Sequence, residues 1–287
     1  MRSLDILRIS RGEWESRQDL VTEEISLQLL AEHRRIAVLM CSPADLEDLV
    51  RGFFFTNGFI RAADQIRRIV VNRATWSAFI QLAPDVDAGS FRLSAVIGSA
   101  CGAALPIGAE EPEERRFGRE GRADERENVT GENPRIHPQQ ISALMDQLRS
   151  RSELHRKTGG VHAAALTDSS GLLVFREDIG RHNAVDKAIG AYLLQGGNFT
   201  DKLLLTSGRL SSEILHKAAA AGFPFVVSRS APTDRCVAAA RERNITLIGF
   251  ARGSRMNVYS GEQRIDGSYL TSSDIKQYTR AREKGKE

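Results

Sequence analysis

The sequence contains few cysteines and no long apolar run. Its three cysteines, at positions 41, 101 and 236 of 287 residues, form neither a disulfide framework nor the close spacing of a zinc knuckle. The longest apolar runs, IAVLMC and FPFVV, are far shorter than the roughly 20 residues that cross a bilayer. The first residues, MRSLDILRIS, lack the apolar core and cleavage site of a secretory signal. These absences predict a cytoplasmic protein with reduced thiols and no membrane span.

An excess of one charge sign is also missing. The chain has 40 basic and 37 acidic residues, a net charge of +3, which does not predict a nucleic-acid partner. Neither a Walker A sequence nor a GxGxxG sequence is present, so the two common phosphate-binding loops are not supported. An apolar content of 41% and a charged content of 27% are typical of a globular protein. The length allows one large domain or two.

Residues 1–105 are predicted to form a small α+β domain. The segments ISLQLL (25–30) and RRIAVLMC (34–41) have the composition of strands and are joined by a short connection. Residues 66–83 predict a β-hairpin. Between these pairs, residues 42–60 predict a helix.

The predicted ends of that helix follow from its first and last residues. Ser42 is suited to the N-cap and Pro43 to the first turn, while Gly58 predicts the end of the helix. Leu46, Leu49, Phe53 and Phe54 are spaced to form its apolar face.

Residues 106–136 are predicted to be a flexible linker, because they are rich in charge, glycine, asparagine and proline and nearly free of apolar residues.

The third segment, residues 137–287, is predicted to be an α/β domain with a peripheral tail. It opens with an amphipathic helix at 137–154 and continues with strands that alternate with helices, which predicts a largely parallel sheet covered on both faces. The strands are expected at 159–178 (a pair), 202–207, 223–228 and 245–251, the last of the sheet, and the helices at 183–197, 211–222 and 233–244.

Polar loops follow four of these predicted strands, where open α/β sheets bind ligands. Ordinary turn and capping chemistry explains any one of them, but four at one edge favour a site for an anionic phosphate ligand. The strongest candidate among the four loops is FARGSR (250–255). Gly253 allows a ligand to approach the backbone closely, and Arg252 and Arg255 can bind phosphate. The loops are EDIGRHNAVD (177–186), with Asp178, Arg181 and His182; TSGRLSSE (206–213), with Ser207, Arg209 and Ser211; SRSAPTDR (228–235); and FARGSR.

Cys101 differs from the other two cysteines. Cys41 ends an apolar strand and Cys236 lies on an alanine-rich helix, so both are predicted to be buried packing residues. Cys101 lies in GSACGAALP (98–106), where glycine and alanine give the sulfur the access that thiol exchange requires. The alternative is an incidental cysteine at a domain boundary.

Eight segments, taken in order, resemble the FdhD family, the formate dehydrogenase accessory sulfurtransferases. The resemblance runs from the N-terminal strands to about residue 260. The segments are LM-C-SP (39–43), RGFFFTNGFI (51–60), CG (101–102), TGGVHAAAL (158–166), EDIGRHNAVDKAIG (177–190), TSGRLSSEI (206–214), SRSAPTD (228–234) and GFARGSRMNVY (249–259).

This resemblance implies a specific function. Members of the family take sulfur from a cysteine desulfurase, carry it as a cysteine persulfide and pass it to the molybdenum cofactor of formate dehydrogenase, which they bind as Mo-bis(molybdopterin guanine dinucleotide) (bis-MGD). The carrier cysteine maps to Cys101, and a homodimer is implied. The cofactor segment maps to Phe250, Ala251, Arg252, Gly253, Ser254 and Arg255. With the neighbouring loops, the expected cofactor site also includes Arg181, His182, Ser207, Arg209, Thr233 and Asp234.

The family's larger domain is similar to the cytidine deaminase fold, but the catalytic residues of a deaminase are absent. The H-x-E motif corresponds to His182-Asn183-Ala184, without the glutamate, and the P-C-x-x-C motif would fall at 207–211, without either cysteine. A catalytic zinc needs about three protein ligands. We therefore expect the fold without zinc and without hydrolytic deamination.

The second cysteine of the family's C-x-x-C pair is replaced by Ala104. If one thiol both accepts and delivers sulfur, Cys101 is sufficient and the sulfurtransferase hypothesis holds. If two are needed, the alternative is a chaperone that binds the molybdenum cofactor without carrying sulfur. A third hypothesis is a nucleotide-binding regulator on a deaminase-like scaffold.

Overall fold

The computed structural model describes residues 1–87, 134–168 and 170–267, together with the backbone of two short strands at 95–97 and 104–106. Within these residues the chain forms a two-stranded hairpin and two six-stranded sheets. Helices pack between and around the two larger sheets, so the architecture is mixed α/β. The predicted domain boundaries at 105 and 137 remain a prediction.

The hairpin at the N terminus consists of β1 (Arg2–Ser10) and β2 (Glu13–Val21). Its two-residue turn places both Arg11 and Gly12 in the left-handed region, at φ 51° and 88°, as the tight turns that match strand twist require. Nearly every side chain of both strands is exposed. The sequence prediction included no element before residue 25.

The first large sheet has the strand order β5-β6-β3-β4-β7-β8. On β3, alternate residues from Ile25 to Ala31 are buried, which is the period of a strand with one face on the core. The strands predicted at 25–30 and 34–41 and the hairpin at 66–83 are confirmed. The strands are β3 (Ile25–Ala31), β4 (Arg34–Cys41), β5 (Ile66–Asn72), β6 (Ser77–Leu82), β7 (Ala95–Ile97) and β8 (Ala104–Pro106).

The first helix, α1 (Leu46–Thr56), is shorter than predicted, and the predicted N-cap was wrong. Asp45 occupies the N-cap in the left-handed region, without a side-chain capping bond. Ser42 is instead buried, and its backbone N–H and hydroxyl both donate to Asp178. A serine before an apolar run has the same local pattern in either role, so only the tertiary contact distinguishes them. The predicted apolar face of the helix is buried, as expected.

The second large sheet has the order β10-β9-β11-β12-β13-β14. Only β11-β12-β13 are parallel; the other three pairs are antiparallel, so the prediction of a largely parallel sheet was wrong. The segment at 245–251 is also not the last strand, because the chain turns at Gly253 and returns as β14. The strands are β9 (His162–Asp168), β10 (Gly171–Asp178), β11 (Leu203–Thr206), β12 (Phe225–Ser228), β13 (Thr246–Arg252) and β14 (Arg255–Ser260).

Helices cover both faces of this sheet, as predicted. On one face, Ile141, Leu144, Met145 and Leu148 of α2 pack on apolar residues of the strands. The opposite face joins a larger apolar cluster that extends through the helices to the first sheet. The five helices are α2 (Pro138–Arg151), α3 (Glu153–Thr158), α4 (Arg181–Leu193), α5 (Ser212–Ala221) and α6 (Asp234–Glu242).

The helices α1 and α4 touch through their backbones. A Cβ atom added to Gly52 would overlap the backbone carbonyl of Asp186, and one added to Gly190 would overlap that of Asp48. The absence of side chains at these two positions therefore sets the distance between the helices. The two large sheets are joined through this contact.

Replacing Gly52 by alanine should destabilise the fold by about 3 kcal/mol, because the added methyl group must push two helix backbones apart. Chemical denaturation monitored by circular dichroism measures this loss. The matched control is Glu47→Ala, on the exposed side of α1, which should change the free energy of unfolding by less than about 0.5 kcal/mol. Equal effects of the two substitutions would contradict the packing argument.

Candidate functional site

The carboxyl ends of β10, β11, β12 and β13 lie at one edge of the second sheet, because the reversed β9 gives β10 the same direction as the parallel strands. Hydrogen bonds link the loops that follow three of them. Ser230 donates its hydroxyl to the carbonyl of Ser207 at 3.0 Å, and the N–H of Phe250 donates to the carbonyl of Ser230 at 3.1 Å. Arg252 Nε donates to the carbonyl of Arg229 at 2.9 Å.

The fourth loop, between β10 and α4, also contacts this group. A Cβ atom on Gly208 would lie 2.7 Å from Cβ of Arg181, so glycine allows the two loops to meet. His182 Nε2 lies 3.0 Å from Oε2 of Glu213 and 3.4 Å from Oγ of Ser211, in the first turn of α5. The structure therefore brings together all four loops that the sequence placed at this edge.

The predicted site residues differ in how much of them a ligand can reach. Arg181 and His182 are largely buried, whereas Arg209 is exposed. Ser207 Oγ accepts the N–H of Ala163 at 2.9 Å, and this bond holds the loop to β9.

The first turn of α6 contributes two of the predicted residues. Thr233 caps the helix by accepting the N–H of Cys236, which confirms the predicted N-cap. Asp234 is exposed in the first turn. Its carboxylate is less suited than the backbone N–H groups around it to contact an anion.

Asp178 is a correction to the sequence analysis, which placed it among the groups facing a ligand. It is fully buried and forms an ion pair with Lys187 at 2.6 Å, and Lys187 is also fully buried. Its carboxylate also accepts from Ser42, from the N–H of Gly180 and from the amide of Asn183. Such a saturated pair is structural, because burial of either charge alone is costly.

Arginines surround this edge: Arg209, Arg252 and Arg255 are exposed, and Arg229 is half-buried. Among the described residues, none of Arg209, Arg229, Arg252 and Arg255 forms an ion pair with a carboxylate. Guanidinium groups that are not paired with a carboxylate are suited to bind phosphate. Arg229 was missed, although it directly follows a predicted strand.

The turn between β13 and β14 has an unusual backbone. Phe250 has φ 52° and Gly253 has φ 56°. The left-handed region is costly for a bulky residue such as Phe250, and such strain is concentrated at functional sites. Ala251 beside it is buried, while Arg252, Ser254 and Arg255 are exposed. This turn thus presents its polar residues on a constrained support.

A cleft of about 480 Å³ adjoins the same edge. Its walls come from three places in the chain: the segment between β2 and β3, the segment between α3 and β9, and the start of α4. No sequence pattern connects these segments, so the cleft was not predicted. Its lining residues are Val21, Thr22, Glu24, Thr158, Gly160, His162, Ile179 and Arg181.

Burial lowers the pKa of both histidines at this edge. For His162 the nearby Arg181 adds to the effect. For His182 the hydrogen bond with Glu213 partly offsets it, and the same bond lowers the pKa of Glu213. Both histidines are therefore mainly neutral at neutral pH. Glu213 was not singled out from the sequence, because it lies 31 residues from its partner.

Cys101 lies outside the described residues. The two cysteines predicted to be buried are buried. Burial raises the pKa of Cys236 to about 12, and burial together with the charge of Asp178 strongly raises the pKa of Cys41. Neither thiol is therefore a ready nucleophile at neutral pH, since the thiolate is the reactive form.

In the part of the chain that the structure describes, no group of three or more His, Cys, Asp or Glu side chains is placed to hold a metal ion. No helix there has both the length and the apolar character to span a membrane.

Comparison with a solved structure supports the fold. The crystal structure of a "putative formate dehydrogenase accessory protein" from Desulfotalea psychrophila superposes with a TM-score of 0.70, covering 92% of this chain and 98% of that chain at 24% identity. At this identity, the likeness concerns the fold alone.

Sequence comparisons give the family. The FdhD/NarQ family model matches residues 22–266. The sulfur carrier protein FdhD of Bacillus subtilis (strain 168) is 36% identical over 262 residues, 91% of this chain and 96% of that protein. The sulfur carrier protein FdhD of Staphylococcus aureus (strain MRSA252) is 35% identical over 261 residues, which are 91% of this chain and 94% of that protein. The chain belongs to the FdhD/NarQ family.

The neutral histidines predict how stability depends on pH. Because the folded-state pKa of His162 and His182 is below the ordinary value of 6.5, the unfolded chain binds more protons below that pH. The free energy of unfolding should therefore decrease as the pH falls from about 7.5 to about 5.5, by at most about 1.4 kcal/mol per pH unit for each histidine.

Urea denaturation at several pH values across this range measures how steeply the free energy of unfolding changes with pH. A variant with His162→Gln and His182→Gln should have a flatter profile than the wild type. The control His33→Asn, in the exposed turn between β3 and β4, should keep the wild-type slope. An unchanged slope in the double variant would show that these two side chains do not cause the dependence.

Proposed function

We propose that this chain is a sulfurtransferase that carries sulfur as a persulfide on Cys101, from a cysteine desulfurase to the molybdenum cofactor of formate dehydrogenase, in the cytoplasm. Two findings support this function. The relatives that share more than a third of its sequence are named sulfur carrier proteins. The chain whose fold it shares is described as a formate dehydrogenase accessory protein.

The observation that carries the proposal is the position of the two strands that precede and follow Cys101 in the chain, β7 and β8. Ile97 pairs with Leu39 near the end of β4 and with Ala104 at the start of β8. Cys101 is three residues from Ala104 in the sequence, and three extended residues reach about 10 Å. The short chain length between Cys101 and Ala104 supports a carrier cysteine that can reach the end of β4.

The end of β4 adjoins the candidate site. Asn183, in the first turn of α4, donates its amide to the carbonyl of Met40 at 2.8 Å. Ser42 and Asp178 form the second link between these elements. The end of β4 and the four polar loops therefore lie at one edge of the molecule. This supports the proposal, because transfer from a carrier cysteine to a bound cofactor needs the two to be close.

The proposed bound substrate is the bis-MGD form of the molybdenum cofactor. Its guanine dinucleotide carries phosphates, and Arg209, Arg252 and Arg255 are exposed at the edge without a carboxylate partner among the described residues. The N-terminal turns of α4, α5 and α6 also point their backbone N–H groups to this edge. The proposed cofactor-binding residues are the twelve named in the sequence analysis, with Arg229 added.

One thiol is sufficient for the proposed loading step. The thiolate of Cys101 attacks the outer sulfur of the donor's persulfide, a new S–S bond forms on Cys101, and the donor cysteine leaves as a thiolate. Electrons and atoms balance without a second cysteine. The deaminase-like scaffold remains part of the proposal, and it serves here for binding, since His182-Asn183-Ala184 lacks the glutamate that deamination requires.

A cofactor chaperone without sulfur transfer is the second candidate. The observation that favours it is Ala104, which replaces a thiol and pairs with Ile97 in the strand ladder. Both candidates use the same cofactor site. They differ in whether Cys101 accepts sulfur.

Incubating the protein with a cysteine desulfurase and cysteine should add one sulfur to Cys101, detected by mass spectrometry of the alkylated peptides. The variant Cys101→Ala should carry none. The control Cys236→Ala should load like the wild type, because that buried thiol has its pKa raised to about 12. Absence of sulfur on Cys101 in the wild type would leave the chaperone as the better proposal.

The double variant Arg252→Ala with Arg255→Ala should bind a guanine nucleotide diphosphate roughly 10- to 100-fold more weakly, because charged hydrogen bonds to phosphate are lost. Isothermal titration calorimetry measures the change. Arg241→Ala with Arg243→Ala removes the same charge at the far end of α6 and should bind like the wild type. Equal affinity of the two double variants would place the phosphate site elsewhere.

A further inference from the structure

The cleft beside the four loops has polar groups that phosphate binding does not use. Its volume of about 480 Å³ lies in the range of small-molecule sites. Val21 and Ile179 contribute apolar surface to its lining, and the other lining residues are polar or are glycine. Apolar surface combined with a few polar groups is suited to a planar ring that has a polar edge.

The segment at the base of the hairpin supplies hydrogen-bond acceptors to the cleft. Glu24 is exposed, and among the described residues its carboxylate forms no ion pair. Thr22 donates its hydroxyl proton to Oγ1 of Thr158 at 2.8 Å. Thr158 in turn donates to the carbonyl of Leu154 and accepts the N–H of Gly160. Glu24 and the two threonines can therefore accept from a ligand, but none of them has a side-chain proton left to donate.

The start of β9 and the start of α4 supply donors. Arg181 brings a guanidinium group, which can only donate. Nδ1 of His162 lies 3.4 Å from Oγ of Ser207, and that oxygen already accepts the N–H of Ala163. This arrangement favours a Ser207 hydroxyl that donates to Nδ1, which leaves the ring N–H of a neutral His162 at Nε2. Burial and the charge of Arg181 lower the pKa of His162 and so keep the ring neutral.

One kind of ring edge matches this set of groups. A 2-amino-4-oxopyrimidine presents an amino group, a ring N–H and a carbonyl oxygen side by side. A carboxylate can accept from the two adjacent donors at once, as it does from arginine. The carbonyl oxygen can accept from a guanidinium group or from the N–H of a neutral imidazole. Pterin and guanine both have this edge, and the proposed substrate contains both rings.

The position of the cleft distinguishes these two rings. Glu24 directly precedes Ile25, which pairs with Cys41 at the end of β4. The turn of β13 that carries Arg252 and Arg255 is three strands away from β9, or roughly 14 Å. The pterin carries the dithiolene sulfurs that hold molybdenum, so it is the part of the cofactor that sulfur transfer needs beside the end of β4. The cleft is therefore better placed for the pterin than for the guanine.

On the basis of the proposed function, we infer that the cleft binds the 2-amino-4-oxopyrimidine edge of a pterin of bis-MGD, with Glu24 accepting from its two N–H donors. His162 and Arg181 donate to the carbonyl oxygen of the same edge. Glu24 is then a residue that determines specificity and takes no part in moving sulfur. The cofactor lies along the edge of the sheet, with its pterin beside the end of β4 and its phosphates at the arginines.

Two free ring compounds test the predicted edge in the unmodified protein. Fluorescence titration should show that free pterin binds roughly 10-fold or more tightly than lumazine, in which a carbonyl oxygen replaces the amino group. That carbonyl oxygen would face the carboxylate of Glu24 and repel it. Equal affinity of the wild type for the two compounds, or no binding of pterin, would overturn the inference.

A substitution at Glu24 tests which residue recognises the edge. Glu24→Gln should weaken pterin binding by roughly 10-fold or more, because an amide offers one acceptor where the carboxylate offers two. It should also reduce the preference for pterin over lumazine. The matched control is Glu23→Gln, which removes the same charge from the adjacent residue. Glu23 pairs with Arg2 and does not line the cleft, so this variant should bind pterin like the wild type.

Guanosine diphosphate is the third ligand, and it separates the two rings. Glu24→Gln should weaken the binding of pterin more than that of guanosine diphosphate. An equal or larger loss for guanosine diphosphate would assign the cleft to guanine and overturn the inference, as would equal pterin affinities of Glu24→Gln and Glu23→Gln. Sulfur loading of Cys101 and nucleotide binding at Arg252 and Arg255 are measured separately, so failure of pterin binding leaves the proposed function standing.

Discussion

The arrangement of this protein depends on one buried ion pair, between Asp178 and Lys187. Removing two charges from water is costly, and the cost is offset only when both are paired and hydrogen-bonded. Here the carboxylate at the end of β10 and the ammonium of α4 are joined by Ser42, which follows β4. Removing one partner of such a pair typically costs about 3–5 kcal/mol. The pair thus fixes the edge of the first sheet against the start of α4, where the candidate site begins.

That junction explains why a site can form between elements far apart in the chain. Residues 40–42 are held against residues 178–187, and the reversed direction of β9 brings the ends of β10 through β13 to the same edge. The first turn of α4 is then shared by the cleft, by the arginine-rich loops and by the end of β4. The cleft at this edge is lined by residues from both halves of the molecule. The chemistry proposed for Cys101 relies on that proximity.

The sequence predicted most of the strands and helices, because the apolar periodicity of each is strong and local. It also predicted the four loops of the site, since polar residues directly follow strands. It did not predict that β14 pairs antiparallel with β13, because FARGSR was interpreted as a ligand-binding loop after the last strand and not as the turn between two paired strands. The antiparallel pairing of β9 with β11 is a contact between distant segments that no local pattern gives. Asp178 and Ser42 were assigned wrongly for a related reason: a buried polar pair is recognisable only when both distant partners are known. Glu213 and the cleft depend likewise on tertiary contacts.

The backbone contact between α1 and α4 limits how this protein can transmit a signal. Where two helices meet at glycine, their carbonyls lie against each other's backbone, and sliding one along the other would force atoms into overlap. This contact therefore opposes a hinge motion that would separate the two sheets. A structural change on ligand binding at the edge would have to travel along α4 itself or remain in the loops. Binding at the site would then shift α4 as a rigid body or rearrange the loops, without closure of the two sheets on each other.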